Sequence, residues 1–223
     1  NRWYPQGAGT AFVLENLGTI HDLFLDHVSV TGDQNTAAVC AYNGGTLENL
    51  TVAGSIEAKD FAAGIFAASL PMKEEDETLF NHAKVTADGT AAGIVAQTKE
   101  KVLLEDCVNT GVIEASVAAG ITTAECENLV LMRCQNYAPI ISSDNESYGI
   151  TSNLTANLTD CVGVSENVYP IAADANESEN CLYFISGGEK LEDALLADIC
   201  DISLTIGETD ATGSYREYPF VEA

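Results

Sequence analysis

The sequence is poor in basic and aromatic residues, and it has no long apolar run. Its 223 residues contain 9 Lys and Arg against 34 Asp and Glu, which gives a formal net charge of −25 at pH 7. A field of that sign repels phosphate backbones and anionic bilayers, so we expect no nucleic-acid partner. No stretch of about 18 apolar residues occurs, so we expect no membrane insertion.

Signatures of catalysis and cofactor binding are also missing. The sequence has no HExxH, GxSxG, P-loop or GxGxxG motif. Its 7 cysteines include no CxxC pair, which disfavours a zinc site or a disulfide framework. We therefore expect no catalytic residue, no metal and no cofactor. A helical period is absent until the end of the chain, so helical and leucine-rich repeats fit the sequence poorly.

The sequence does contain an internal repeat, which is clearest in Thr36–Ala58. An apolar run is followed by the turn Asn43–Gly45 and by a strand in which Leu50 and Val52 face one way and Thr51 the other. The last residue of each apolar run recurs at steps of 27, 25, 29, 27 and 29 residues. Self-similarity at such a period indicates stacked repeats. The runs are Thr10–Val13, Ala37–Cys40, Ala62–Ile65, Ala91–Ile94, Ala118–Ile121 and Ser147–Ile150.

A second register with the same period strengthens this interpretation. Cys107, Cys134 and Cys161 are 27 residues apart, which predicts a ladder of buried, free thiols with one cysteine in each coil. Val, Ile and Thr in short alternations predict about three strands per coil. We therefore predict an all-β fold, a parallel β-helix or β-solenoid of about seven coils. The second register consists of Leu23, Leu50, Ala83, Cys107, Cys134, Cys161 and Cys181.

The segment Thr36–Ile56, TAAVCAYNGGTLENLTVAGSI, resembles the GLUG repeat. GLUG-like repeats occur in bacterial surface proteins, including adhesin-like proteins and some immunoglobulin A peptidases outside their catalytic domains, and are thought to wind as β-solenoids. The resemblance implies a secreted or cell-surface bacterial protein, monomeric as an isolated segment. It also implies a host or matrix protein, or a glycan, as the partner.

The period sets the domain boundaries. We expect a solenoid over residues 1–186, with an N-terminal lid over residues 1–8 and a C-terminal α+β cap over 187–223. In the cap, Leu191, Leu195 and Ile199 have the spacing of an amphipathic helix. The acidic insertion Pro71–Thr78 is predicted to leave the solenoid wall as a solvated loop; a calcium-binding loop is the alternative, although the Asp-x-Asp-x-Asp-Gly spacing is missing.

Charged and polar residues precede the second register by one position. Arg133 is expected to lie between Asp106 and Asp160, which makes these three the candidate ligand-binding residues. Such a set could act as the carboxylate–Arg site of a solenoid polysaccharide lyase or hydrolase. The interpretation we favour is a surface ladder in which the Arg separates two carboxylates. The full series is Asp22, Asn49, His82, Asp106, Arg133, Asp160 and Asn180.

Two functions remain open from the sequence. The first is a non-catalytic surface module that acts as an adhesin-like binder or as a spacer. The alternative is a carbohydrate-active solenoid enzyme. One Trp, at position 3, and Arg at only three positions make a poor lining for a groove that grips sugars, so the non-catalytic module is favoured.

Overall fold

The computed structural model of the chain describes residues 7–71, 76–123, 129–153, 155–164, 172, 177–179, 181–186, 204–209 and 215–219. These residues form strands and tight turns with no helix, so the predicted all-β class is confirmed for them. It follows that none of them belongs to a helix that could cross a membrane.

The strands of the first three coils are β1 (Gly9–Thr10), β2 (Val13–Asn16), β3 (Thr19–Thr31), β4 (Asn35–Ala37), β5 (Cys40–Asn43), β6 (Thr46–Ala58), β7 (Phe61–Ala63), β8 (Phe66–Ser69), β9 (Asp76–Asn81) and β10 (Lys84–Ala87). The next are β11 (Thr90–Ala92), β12 (Val95–Gln97), β13 (Val102–Glu105), β14 (Val108–Asn109), β15 (Ile113–Ala119), β16 (Leu129–Met132), β17 (Gln135–Asn136) and β18 (Ile140–Tyr148). The last are β19 (Asn157–Thr159), β20 (Val162–Val164), β21 (Glu177–Glu179), β22 (Leu182–Ser186), β23 (Leu204–Thr209) and β24 (Tyr215–Pro219).

Strands at equivalent places in successive coils pair side by side in parallel. On the longest side, β3 pairs with β6, β6 with β9, β9 with β13, and the series continues through β16 and β19. The chain therefore winds as a parallel β-solenoid of about five turns. The predicted solenoid is confirmed, whereas the predicted count of about seven coils is not.

The remaining sides of each coil are parallel as well. One side contains β10, which lies between β6 and β15. The next contains β4, β7, β11 and the end of β15. A separate sheet with the order β12-β8-β5-β2 closes the coil. Each side chain of a coil therefore lies over the equivalent position of the coil before it.

The interior is filled by columns of apolar side chains that follow these ladders. In one column Leu50 and Leu79 are fully buried, and Cys107, Cys134 and Cys161 continue it as buried free thiols, as predicted. Burial in this apolar column raises the pKa of the Cys134 thiol. Full burial of a Leu side chain contributes about 1.5–3 kcal/mol, so one such column supplies a large part of the stability.

The third coil follows a register different from the predicted one. Leu79, not Ala83, lies beside Leu50, and the next rung is Cys107. Thr78 consequently precedes the rung, and the prediction that His82 does so is wrong. The cause is the insertion: β9 already begins at Asp76, so residues 76–78 belong to the wall. The first register also shifts by one residue, because Thr36 lies beside Ala62.

At the C-terminal end the parallel ladder gives way to antiparallel pairing. Strand β22 pairs with β23, and β23 pairs with β24. The alternation of Ile202–Ile206 is typical of a strand, and the observed β23 begins within it, at Leu204. The predicted helix lies outside the described residues, as do residues 1–6 of the predicted lid, and the cap as a whole stays a prediction.

Candidate functional site

A column of residues with left-handed backbone runs along one corner of the solenoid. We call it the corner ladder. Each member stands one residue before an inward-facing rung, and φ lies between 51° and 58° in all of them. Asp and Asn adopt this conformation readily, whereas Thr and Arg do so at a cost of about 1–2 kcal/mol. The members are Asp22, Asn49, Thr78, Asp106, Arg133 and Asp160.

Arg133 makes the most extensive contacts in the corner ladder. Its Nε donates to Asp106 Oδ1 at 2.7 Å, and its Nη2 donates to Asp106 Oδ2 at 2.9 Å. The same Nη2 also donates to Glu105 Oε1. This bidentate geometry holds the guanidinium flat against the preceding coil. Because 45% of the Arg133 side chain is exposed, water screens the pair and its contribution to stability is small.

Asp160 is not part of this cluster. It lies on the next coil and is exposed, and no ion pair between it and Arg133 occurs in the described part of the chain. The structure therefore brings together two of the three predicted residues, Asp106 and Arg133, and adds Glu105. Arg133 leans toward one neighbouring coil instead of bridging two.

The first two members of the corner ladder also bind each other. Asn49 Nδ2 donates to Asp22 Oδ1 at 2.5 Å, and His21 Nδ1 lies 3.0 Å from Asp22 Oδ2. These contacts raise the pKa of His21 and lower the pKa of the Asp22 carboxyl. His27 pairs separately with Asp26 at 2.7 Å. Nowhere in the described ranges do three His, Cys, Asp or Glu residues gather as metal ligands.

A column of glutamates runs beside the corner ladder on the outer face. Glu48 lies beside Glu77, and Glu77 lies beside Glu105. Neighbouring strands are about 4.8 Å apart, so three like charges are stacked at short intervals and repel one another. The guanidinium of Arg133 compensates this column at its Glu105 end. The ion pairs of Arg133 therefore run along the solenoid axis, to Glu105 and Asp106 of the preceding coil.

Two buried asparagine ladders were missed by the sequence analysis. In the first ladder, Asn16 Nδ2 donates to Asn43 Oδ1 at 2.9 Å. In the second, Asn81 Nδ2 donates to Asn109 Oδ1 at 2.7 Å, and Asn109 Nδ2 donates to Asn136 Oδ1 at 2.8 Å. The signal that could have found them is Asn-x-Gly or Asn-x-Ala recurring at the coil period.

Each of these asparagines also shapes its own turn. Asn109 Oδ1 accepts the Gly111 backbone N–H at 3.3 Å, and Asn109 Nδ2 donates to the Gly111 carbonyl at 2.9 Å. Glycines of the neighbouring side pack against the second ladder. A Cβ placed on Gly93 would lie 2.1 Å from the Gly120 carbonyl oxygen and 2.7 Å from Asn109 Cγ. The ladder therefore fixes both the turn and the spacing of the coils.

Asp76 is a fully buried acid at the end of the first asparagine ladder. It occupies the wall position between Leu47 and Leu104, and the prediction that it belongs to a solvated loop is wrong. Its Oδ1 accepts the Leu47 N–H at 2.8 Å, and its Oδ2 accepts Asn43 Nδ2 at 3.0 Å. Burial raises the pKa of Asp76 to about 8 against the opposing effect of these two bonds.

Comparisons with known proteins add little. No family model matches the chain, and no solved structure matches it. A 65-residue stretch, 29% of the chain, is 32% identical to Halomucin of Haloquadratum walsbyi. That stretch spans about 1% of the length of Halomucin.

Proposed function

We propose that the chain is a non-catalytic module of a larger secreted or cell-surface bacterial protein, acting as a spacer or as an adhesin-like binder. The observation that carries the proposal is the self-pairing of the candidate site. Arg133 uses its donors on Asp106 and Glu105 of the preceding coil. An arginine that clamps a substrate in an enzyme keeps its donors directed at the ligand instead.

The fold is a second observation that supports the proposal. Similar coils stacked in register form a rod with a long, continuous outer face, which suits a spacer or an extended contact surface. A β-solenoid and the partial match to Halomucin are compatible with a surface module. The resemblance of Thr36–Ile56 to GLUG repeats supports the bacterial cell surface as the location. The partner in this proposal is a host or matrix protein or a glycan.

Binding measurements on Arg133 variants test the proposal. The native chain is screened on a glycan array and on immobilised matrix proteins, and the Arg133→Ala and Arg133→Lys variants are then measured on any hit. A binder that uses the outer face loses at least about tenfold in affinity with Arg133→Ala, and a pure spacer shows no hit. Lys84→Ala is the matched control, because Lys84 and Glu114 form another exposed pair at 2.9 Å.

The alternative function is a carbohydrate-active enzyme, which the column Glu48, Glu77 and Glu105 beside Arg133 favours. Cleavage assays on pectin and alginate address it directly. The non-catalytic proposal predicts no turnover above the buffer rate. Turnover that disappears in Arg133→Ala while the variant stays folded would establish the enzyme instead.

A further inference from the structure

The solenoid presents an unfinished end at its first coil. We call this the N-terminal end face. The first coil contributes the same inward positions as the second, but its residues are only partly buried where those of the second coil, except Gly54 beside Val28, are fully buried. Phe12, Leu14 and Leu17 are 72%, 58% and 73% exposed. The inward residues of the face are Val13, Ile20, Leu23, Leu25, Val28 and Val30.

The backbone of the end face is open in the same direction. Among the described strands, β1 pairs only with β4, β2 only with β5, and β3 only with β6. Every internal strand on the long side pairs on both of its edges. Among the described residues, no strand pairs with the other edge of the 13-residue β3, and such an edge is a template for another parallel strand.

The side-chain hydrogen bonds of the first asparagine ladder run in one direction, from one coil to the next. Asn43 Oδ1 accepts two hydrogen bonds, one from Asn16 Nδ2 and one from the Gly45 N–H. Asn16 Oδ1 accepts the Gly18 N–H at 3.1 Å, and in the described residues no coil lies before it. An asparagine one coil earlier would therefore donate to Asn16 as Asn16 donates to Asn43.

We propose that the N-terminal end face is a docking surface for one further parallel coil of this same repeat, stacked in register on β1, β2 and β3. The coil supplies an apolar residue over each of Ile20, Leu23 and Leu25, and an asparagine over Asn16. The proposal stands on the ladders alone and does not depend on the proposed function.

A second copy of the chain suits the face less well. Two such faces brought together would oppose Glu15, Asp22 and Asp26 with the same residues of the other copy, and each copy carries a net charge of −25. Stacking head to tail is blocked along β22, whose outer edge is taken by the antiparallel strand β23. A coil like Asn35–Asp60 avoids this repulsion, because it would place neutral residues equivalent to Tyr42 and Asn49 beside Glu15 and Asp22.

The test supplies the proposed coil. In an extended variant, residues 1–8 are replaced by a second copy of Asn35–Asp60; Gly9 and Phe61 both lie beside Asn35, so this copy enters in register. Hydrogen exchange of the β3 amides that β6 does not bind is measured in the native chain and in the variant. We expect fast exchange in a monomeric native chain and exchange at least about tenfold slower in the variant. A control with the copied residues scrambled should exchange like the native chain.

Three results would overturn the proposal. They are protection of these amides in the native monomer, equal exchange in the extended and scrambled variants, and a native dimer with β3 protected, which would make a second copy the occupant.

If the extended variant does not fold, paired substitutions in the native chain still decide whether the face is open. Leu25→Asp should leave the chain folded while Val52→Asp on the next coil unfolds it. Unfolding by both would show that the face is closed.

Discussion

Asp76 links a single carboxyl group to the stability of the whole solenoid. An apolar residue occupies the same wall position in the adjacent coils, Leu47 on one side and Leu104 on the other. The two N–H groups directed at the carboxyl explain why an acid is tolerated there. The asparagine ladder needs an acceptor at its end, and a Leu would leave both donors unpaired in the core.

This arrangement predicts an unusual dependence of stability on pH. Burial raises the pKa of Asp76 to about 8 in the folded chain, compared with about 3.9 in an unfolded chain. The folded state therefore holds its proton over a range where the unfolded state has lost it. The contribution of Asp76 to stability is greatest below about pH 4, falls as the pH rises toward 8, and levels off above that.

Urea unfolding across this range checks the prediction. The native chain should lose up to about 5 kcal/mol between about pH 4 and pH 8 relative to Asp76→Asn, in which this group no longer titrates. Asp160→Asn, an exposed control, should retain the native slope. Identical slopes in the native chain and in Asp76→Asn would show that the folded pKa is ordinary.

The limits of the sequence analysis are clearest in the third coil, to which Asp76 belongs. The coil period and the alternation of Leu50, Thr51 and Val52 were enough to predict the parallel solenoid and the thiol column. They could not place the third coil, because Leu79 and Ala83 are both apolar and both lie near the expected spacing. The structure distinguishes them because Leu79 lies within β9, whereas Ala83 lies in the turn that Asn81 bonds and that depends on Asn109 in the next coil.

At the scale of the element, the second asparagine ladder should contribute more to stability than any surface pair. Asn109 stands in its middle, where it accepts from Asn81 and donates to Asn136. Asn109→Ala removes four buried hydrogen bonds, two along the ladder and two to Gly111, and each contributes about 0.5–1.5 kcal/mol. We therefore expect a loss of about 2–5 kcal/mol in the free energy of unfolding.

Thermal and urea unfolding of three variants measure this loss. Thr110→Ala changes the exposed neighbour of Asn109 and should cost less than about 1 kcal/mol. Arg133→Ala removes the exposed ion pairs and should also cost about 1 kcal/mol or less. A loss with Asn109→Ala no greater than these two would mean that the amide ladder does not hold the coils together.

Every member of the corner ladder except Thr78 could be predicted from the sequence. The residues before Cys107 and Cys134 were recognised as Asp106 and Arg133 because the thiols mark their register. The direction of the Arg133 side chain was not predictable, since Asp106 and Asp160 are equally distant in sequence. Glu105 decides it: this second acceptor lies on the same coil as Asp106.

At the scale of the whole molecule, charge opposes folding. The net charge of −25 is spread over a rod in which Glu48, Glu77 and Glu105 are stacked on neighbouring strands. Added salt screens such repulsion, because the Debye length falls from about 30 Å at 0.01 M to about 3 Å at 1 M. We therefore expect the free energy of unfolding to rise with ionic strength.

Urea unfolding in increasing sodium chloride checks this expectation. Glu77→Gln removes the middle charge of the column and should stabilise the chain at low salt and weaken its response to salt. Thr51→Gln, a neutral substitution on the same outer face, is the control and should keep the native response. A chain whose stability falls with salt would contradict the account of the outer face.

The most direct test of the stacked-coil account is the register between the second and third coils. Thr51 lies beside Phe80 on adjacent parallel strands, within the reach of a disulfide. Under mild oxidation, Thr51→Cys with Phe80→Cys should form a cross-link that peptide mapping identifies. Thr51→Cys with Lys84→Cys, the pair that the alternative alignment of Leu50 with Ala83 would bring together, should not. A cross-link in the second pair and none in the first would contradict the register on which the ladders rest.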